Sequence, residues 1–417
     1  MKILSITLYS IMVLSTTLST LAYGTTLSYP YHAMIKVPIA DLLGEPISKA
    51  GLHNNQTKAY QEIPISWGPN DTDRAVCPRI HQALLHQIVT VHEKQGAEVR
   101  ITLDSAYYIS KQTNSLSNSY WTLEANVIPL KELQKAGISD DYFPPSLHET
   151  YTSNTVALIY PFYDRVSQIG YSAGTRFVYS GQTANTYNVF AFDGSNNELH
   201  FSELPKNICH FVRSSTTSQQ KQNNFVTLLH NWSTNIHGFI PLVWGGCSFQ
   251  RFYKKDDAHL GTKTMLDGKQ LAYWYRIGYT QTPFSGFDAS NLILLAAQIV
   301  GIPYFYKNSA TALAHLNKVT SYSQLREGDL LWLSPGIAVV ASLERNTLIT
   351  VFSYTLGYGK VVELPLSRVF EGINSWHQLF DSQNSLTLLD AHGQTARPVK
   401  NWELLSLQSV FNKSGNF

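Results

Sequence analysis

An apolar stripe at helical spacing runs through residues 288–303, and its members are Leu292, Ile293, Leu295, Ala296 and Ile299. Asp288 or Ser290 can cap the start of a helix here, and Gly301, with proline two positions later, can end it. Apolar residues three or four positions apart indicate one buried helix face. The pattern therefore predicts a helix whose N-terminus lies at Ala289.

Two stretches upstream, 74–132 and 155–212, consist of short runs of β-forming residues separated by turn residues. Such spacing is typical of small all-β barrels, so we predict one barrel in each stretch. The polar stretches 133–154 and 213–223 are interpreted as linkers. Segment 25–73 shows little periodicity and is predicted to be irregular.

The last domain is predicted to cover residues 224–373. It begins with a helix around residues 225–232, where apolar residues recur at helical spacing. A final segment, 374–417, keeps enough apolar residues to pack on a domain surface but has no assigned structure.

Residues 1–24 have the features of a secretory signal peptide: Lys2, an apolar centre, and small residues near Ala22 and Gly24. An uncleaved membrane anchor is the alternative. No run of about 20 apolar residues follows, so no transmembrane span is expected in the mature chain. We therefore expect an exported protein.

Composition narrows the function classes. The net charge of +2 gives no electrostatic basis for binding nucleic acid. The three cysteines, Cys77, Cys209 and Cys247, are too few and too scattered for a disulfide framework or a zinc site. No metal or cofactor is predicted.

Four short motifs follow one another in the last domain, with the sequences PLVWGG (241–246), GFDAS (286–290), LREGDL (325–330) and PGIAVV (335–340). Together they resemble the NlpC/P60 cell-wall cysteine peptidases, whose pattern is roughly PYVWGG, GFDCSG, L-x-PGDL and GHVGI. The resemblance covers about residues 224–370. It implies a papain-like α+β domain with an antiparallel sheet, which fits residues 328–333, 336–344, 347–354 and 360–364. It also implies two preceding SH3b-like barrels, peptidoglycan stem peptides as ligands, and a place in the periplasm or cell envelope of a bacterium.

The resemblance implies a catalytic cysteine, a histidine and a third polar group at positions where this chain has Ala289, Ile337 and about Thr350. Leu242 replaces a tyrosine that the family often carries. A methyl group and a branched alkyl chain can neither attack a carbonyl carbon nor transfer a proton. We therefore predict a catalytically inactive homologue that binds stem peptides.

Several side chains near the altered positions are expected to contact such a peptide, namely Trp244, Arg276, Tyr279, Phe287, Asp288 and Ser290. Aromatic rings supply apolar contact area, and charged groups meet the ends of a peptide. Trp244 and Phe287 are equally suited to packing the domain core.

Two alternatives remain open from the sequence. An active endopeptidase would need substitute groups, with Cys247 as nucleophile and His237 or His259 as base, although Cys247 also fits a buried apolar position. A regulator would bind another cell-wall protein. The long insertion 247–285 is predicted to be a loop that lines the cleft or a solvated excursion without a role.

Overall fold

The structure is a computed structural model that describes residues 28–50, 55–63, 77–110, 113–147, 154–213, 215–234, 238–252, 258–264, 270–276, 283–334, 336–382 and 386–413. It is a mixed α+β fold with several antiparallel sheets. The expected signal peptide, 1–24, lies outside these residues. Within them, every helix is too short or too polar to cross a membrane.

The first part of the chain is mainly β-structure. Its elements are β1 (Tyr31–Ile35), β2 (Ile39–Leu43), α1 (Gln56–Gln61), β3 (Arg79–Leu84), β4 (Ile88–Gln95), β5 (Glu98–Thr102), β6 (Tyr108–Ile109), β7 (Leu116–Ser117), β8 (Ser119–Leu123), β9 (Val127–Pro129) and α2 (Leu130–Lys135). One antiparallel sheet has the strand order β3–β2–β8–β5–β4–β1–β9, and β6 pairs with β7.

The prediction of an irregular segment over 25–73 is wrong for β1 and β2. Strand β2 is buried along its full length, including Asp41, whose carboxylate pairs with Arg79 of β3. A five-residue strand with a buried charge shows no alternation of apolar and polar residues. The pattern that identifies a half-buried strand is therefore missing here.

The second part contains β10 (Thr155–Leu158), β11 (Phe162–Asp164), β12 (Ile169–Tyr171), β13 (Arg176–Gln182), β14 (Thr186–Asp193), β15 (Glu198–Pro205) and β16 (Cys209–Phe211). Its main sheet has the order β15–β14–β13–β10–β16, and β11 pairs with β12. Among the described residues, the two edge strands of this sheet do not pair with each other, and neither do those of the first sheet, so neither sheet closes. Antiparallel sheets thus stand where two barrels were expected.

The last part carries both helices and strands. Its elements are α3 (Ser218–Ser233), β17 (Cys247–Ser248), β18 (Ala258–Thr264), β19 (Gln270–Arg276), β20 (Gly286–Phe287), α4 (Ala289–Ile299), α5 (Ser309–His315), β21 (Asn317–Lys318), β22 (Leu330–Leu333), β23 (Ile337–Ser342), β24 (Thr347–Val351), β25 (Val361–Pro365), α6 (Leu366–Val369), α7 (Trp376–Asp381), β26 (Leu386–Leu389), β27 (Thr395–Val399) and β28 (Trp402–Ser406). The helix predicted near 225–232, the helix beginning at 289 and the four predicted strands are confirmed.

Two segments of this part are more ordered than predicted. The insertion 247–285 is not a plain loop, because β18 and β19 pair in a regular antiparallel hairpin from Ala258↔Arg276 to Thr264↔Gln270. Length alone suggested a loop, although the β19 sequence is rich in aromatic β-formers. The segment 374–417 supplies β28, which lies between β21 and β22 in the sheet order β21–β28–β22–β23–β24–β25.

Helix α4 lies in the largest hydrophobic core. Its buried side chains pack with residues of the first sheet, such as Val91 and Ile101, and of the last sheet, such as Val339 and Ile349. A second core lies between the last sheet and the β26–β27 hairpin, and a third lies within the second part. The N-terminus of α4 is therefore placed where the first and last sheets meet.

Candidate functional site

Ala289 is the first residue of α4, and Asp288 caps the helix. The backbone of Asp288 is extended. Its side chain accepts a hydrogen bond from the backbone N–H of Asn291, with an N–Oδ1 distance of 2.7 Å. Ala289 is half-buried and packs against the main core. The helix thus starts at Ala289 with an aspartate cap, as predicted, and the position at which the sequence resemblance implies a nucleophile carries a methyl group.

A tight turn at residues 243–246, here called the Trp244 turn, lies beside Asp288. The N–H of Gly246 donates to the Val243 carbonyl, and the N–H of Asp288 donates to the Gly246 carbonyl at 3.2 Å. A Cβ atom on Gly246 would lie 2.4 Å from the Gly286 carbonyl oxygen, so only glycine permits this approach. Trp244, in this turn, is 41% exposed to solvent.

Ile337 and Thr350 complete the set of family positions. Ile337 begins β23, which packs on α4, and it is buried in the same core as Leu292. Thr350 is buried on β24, and its hydroxyl donates to the Ile337 carbonyl oxygen at 2.8 Å. The hydroxyl donor is thus used by the backbone, and position 337 has no proton-transfer group for Thr350 to orient. The three positions come together around α4 without any acid–base side chain.

A chain of buried polar groups begins at the helix cap. The Asn291 amide donates to Asp288 Oδ2 at 3.1 Å, and the Lys307 ammonium lies 3.4 Å from the same oxygen. His81 Nδ1 lies 3.0 Å from Asn291 Oδ1, an acceptor, so Nδ1 carries the proton. Burial, with the nearby Lys307 charge, lowers the pKa of His81 to about 3, and the ring is neutral at ordinary pH.

This chain changes the role open to Asp288. Both carboxylate oxygens are already hydrogen-bonded, and Lys307, itself almost fully buried, balances the negative charge. A ligand amine would have to compete with that internal cation. Ser290, in the first turn of α4, is half-buried, and the structure brings it next to these groups.

Cys247 is a buried thiol on β17. Its sulfur lies 3.8 Å from the Asn291 carbonyl oxygen, and its backbone N–H donates to Gln82. Burial, followed by the negative charge of Asp288, raises the pKa of the thiol well above its ordinary value. Because the thiolate is the nucleophilic form, Cys247 is poorly suited to attack a peptide.

The other predicted residues are distributed differently. Phe287 is fully buried, and its ring stacks on that of Trp232 with a centroid distance of 5.4 Å. Arg276 is the last residue of β19, and His259 lies in β18. Tyr279 and His237 lie outside the described residues.

Sequence reasoning missed the strand that supports this site. Three side chains of β3, those of Arg79, His81 and Gln82, reach the Trp244 turn, α4 and β17 respectively. The one available signal was the concentration of polar residues in a run that also contains apolar β-formers. Nothing in that run indicates contacts with residues more than 160 positions away.

Two surface cavities lie elsewhere, one between the first two parts of the chain and the other between the second sheet and α4. One is lined by His86, Pro145 and Arg176, and the other by Arg176, His210 and Gln298. Neither includes Ala289. Among the residues that the structure describes, no three histidine, cysteine or acidic side chains are grouped as metal ligands would be.

Comparisons with known proteins add one structural likeness. No family model matches the chain, and no curated protein matches it. The fold is similar to the crystal structure of an NlpC/P60 family protein from Bacillus cereus ATCC 10987, with a TM-score of 0.49 and 16% sequence identity. The match covers 80% of this chain and 94% of that one.

Proposed function

We propose that this protein is an exported, catalytically inactive relative of the NlpC/P60 peptidases that binds peptidoglycan stem peptides at the N-terminus of α4. The single observation that carries the proposal is the methyl group of Ala289 at a capped helix start, where a peptidase would place its thiolate. The four ordered sequence motifs supply the family context.

The surroundings of Ala289 support binding without cleavage. Ile337 is buried, and the Thr350 hydroxyl is bonded to the backbone, so neither supplies a base. Cys247 is buried with a raised pKa. Loss of both nucleophile and proton-transfer partner removes the covalent route, leaving only the residual acceleration that binding gives.

The proposal includes the finer features that the sequence predicts. The two β-rich parts act as accessory binding modules, the first of them enlarged by β1 and β2, and the chain is exported to the cell envelope. Trp244, half-exposed beside Asp288, is the aromatic contact best placed for a peptide, with Ser290 as a polar neighbour. Phe287 supports the site from the core.

The test combines binding and turnover on one ligand. Isothermal titration with L-alanyl-γ-D-glutamyl-meso-diaminopimelate is expected to show saturable binding, and mass spectrometry of the same mixture is expected to show intact tripeptide. Trp244→Ala should weaken binding by up to about tenfold, since a stacked aromatic contact contributes roughly 0.5–1.5 kcal/mol. Tyr163→Ala, at an exposed tyrosine of the second part, is the matched control.

Cleavage that disappears in Cys247→Ser would contradict the proposal and establish Cys247 as a nucleophile. Absence of both binding and cleavage would also contradict it. In that case, co-purification with another cell-wall protein would favour the regulator alternative.

A further inference from the structure

The Trp244 turn contacts a buried ion pair that belongs to the first sheet. Arg79 Nε donates to Asp41 Oδ1 at 2.7 Å, with the two side chains 0% and 3% exposed. Arg79 Nη1 donates to the Trp244 carbonyl oxygen at 3.1 Å. A Cβ atom on Gly245 would lie 2.5 Å from the Arg79 carbonyl oxygen, so the turn lies directly on β3.

Gln82, three residues further along β3, contacts the other side of the site. Its amide nitrogen donates to Asp41 Oδ1 at 2.8 Å and to the Phe284 carbonyl at 2.7 Å. Its amide oxygen accepts from the Cys247 N–H and from the Ser248 hydroxyl. The two ends of the insertion 247–285 are thus held by Gln82, which is itself hydrogen-bonded to the Asp41 carboxylate.

A buried ion pair is poor evidence for a stabilising role. Removing two charges from water is costly, and replacing such a pair by well-packed apolar residues is often neutral or stabilising. Burial disfavours the Arg79 charge, yet Asp41 offsets this and keeps the pKa of the guanidinium above its ordinary value. The pair supplies what an apolar pair cannot, namely a fixed N–H donor for the Trp244 carbonyl.

We infer that Arg79, held by Asp41, is a positioning residue that sets the orientation of Trp244 and thereby the affinity of the site. The inference rests on the proposed function for the ligand. The first sheet would then belong to the binding site, since the Arg79 guanidinium that orients Trp244 is carried by β3.

The decisive variant is the double change Asp41→Val with Arg79→Met, which removes both charges and keeps apolar bulk in the strands. The protein is labelled with 5-fluorotryptophan, and the Trp244 resonance is assigned with Trp244→Phe. We expect the double variant to fold cooperatively, because the Gln82 amide loses the Asp41 acceptor but keeps the Phe284 carbonyl. Among the tryptophan resonances, that of Trp244 should shift or broaden most. Affinity for the stem tripeptide should fall by up to about tenfold. The control replaces the exposed pair Glu93–Arg100 by valine and methionine.

Arg79→Lys gives a second measurement. Lysine keeps the charge for Asp41 but lacks the second donor of the guanidinium fork, so the Trp244 resonance should change as in the double variant. An unchanged Trp244 resonance in either folded variant would overturn the inference. So would an altered resonance with unchanged affinity, or a double variant that cannot fold, because the pair would then serve stability.

Failure of the proposed function has a different signature. If the unaltered protein binds no tripeptide, the proposed ligand is wrong and the affinity part of the inference falls with it. The Trp244 resonance would still respond to the Arg79 variants, which supports the positioning part by itself.

Discussion

At position 289 the chain presents a methyl group to the N–H groups of the first turn of α4. Asp288 satisfies the N–H of Asn291, and Lys307 balances the aspartate charge. A helix N-terminus favours a negative charge because unpaired N–H groups and the helix dipole point toward it. The environment that would acidify a thiol is therefore present although the thiol is absent.

This environment predicts the behaviour of Ala289→Cys. The new thiol should titrate below the ordinary value of about 8.5, because the helix N-terminus stabilises the thiolate. The pKa of the new thiol is measured from the rate of alkylation by iodoacetamide between pH 5 and 10. The native thiols give little background, since burial raises the pKa of Cys77 and Cys247 and raises that of Cys209 to about 12. A titration at or above 8.5 would show that Asp288 outweighs the helix.

At the scale of the element, α4 combines a polar N-terminus with an almost entirely buried body. Leu295 is 3% exposed, and a Cβ atom on Gly174 would lie 2.5 Å from its Cδ1 atom. The helix thus packs directly on the turn before β13 as well as on the first and last sheets. Its burial is what fixes the position of Asp288 and Ala289.

Leu295→Ala is expected to lower the free energy of unfolding by about 2–5 kcal/mol, the range for a buried leucine whose site cannot collapse. Urea unfolding followed by circular dichroism measures the change. Leu116→Ala, at a leucine that is 39% exposed, should cost far less and serves as the control. Equal effects of the two changes would mean that α4 is not central to the core.

Elements with local signals were predictable, and elements defined by distant contacts were not. Helix α4 has a cap, an apolar stripe and a glycine stop within 15 residues of sequence, and its start at Ala289 follows from them. Strand β2 has none of these, because its defining feature is the pairing of Asp41 with Arg79. The His81–Asn291 contact joins residues 210 positions apart, which no spacing rule detects.

At the scale of the whole molecule, a buried histidine joins the first two sheets. His86 follows β3, and its Nδ1 lies 3.0 Å from the Arg176 carbonyl oxygen, while its Nε2 accepts from the Phe192 N–H at 3.1 Å. Both bonds require the neutral ring with the proton on Nδ1. Burial lowers the pKa of His86 to about 4.

The lowered pKa predicts acid sensitivity. Because unfolded histidine titrates near 6.5 and His86 near 4, the unfolded chain binds more protons between these values, and stability falls as pH drops through this window. His86 should account for a loss of about 2 kcal/mol between pH 7 and pH 5. Urea unfolding of the unaltered protein and of His86→Asn at pH 7 and pH 5 isolates the contribution of His86 to this loss. Equal pH dependence in the two proteins would contradict it.

Strand β28 determines when this protein can finish folding. It lies inside the last sheet, where Leu405 pairs with Leu330, and it separates β21 from β22. A ribosome that has made β22 has not yet made the strand that pairs with its outer edge, so the sheet stays incomplete until residues 402–406 emerge. Pairings between such distant segments form slowly. Late completion leaves the outer edge of β22 unpaired in the newly made chain.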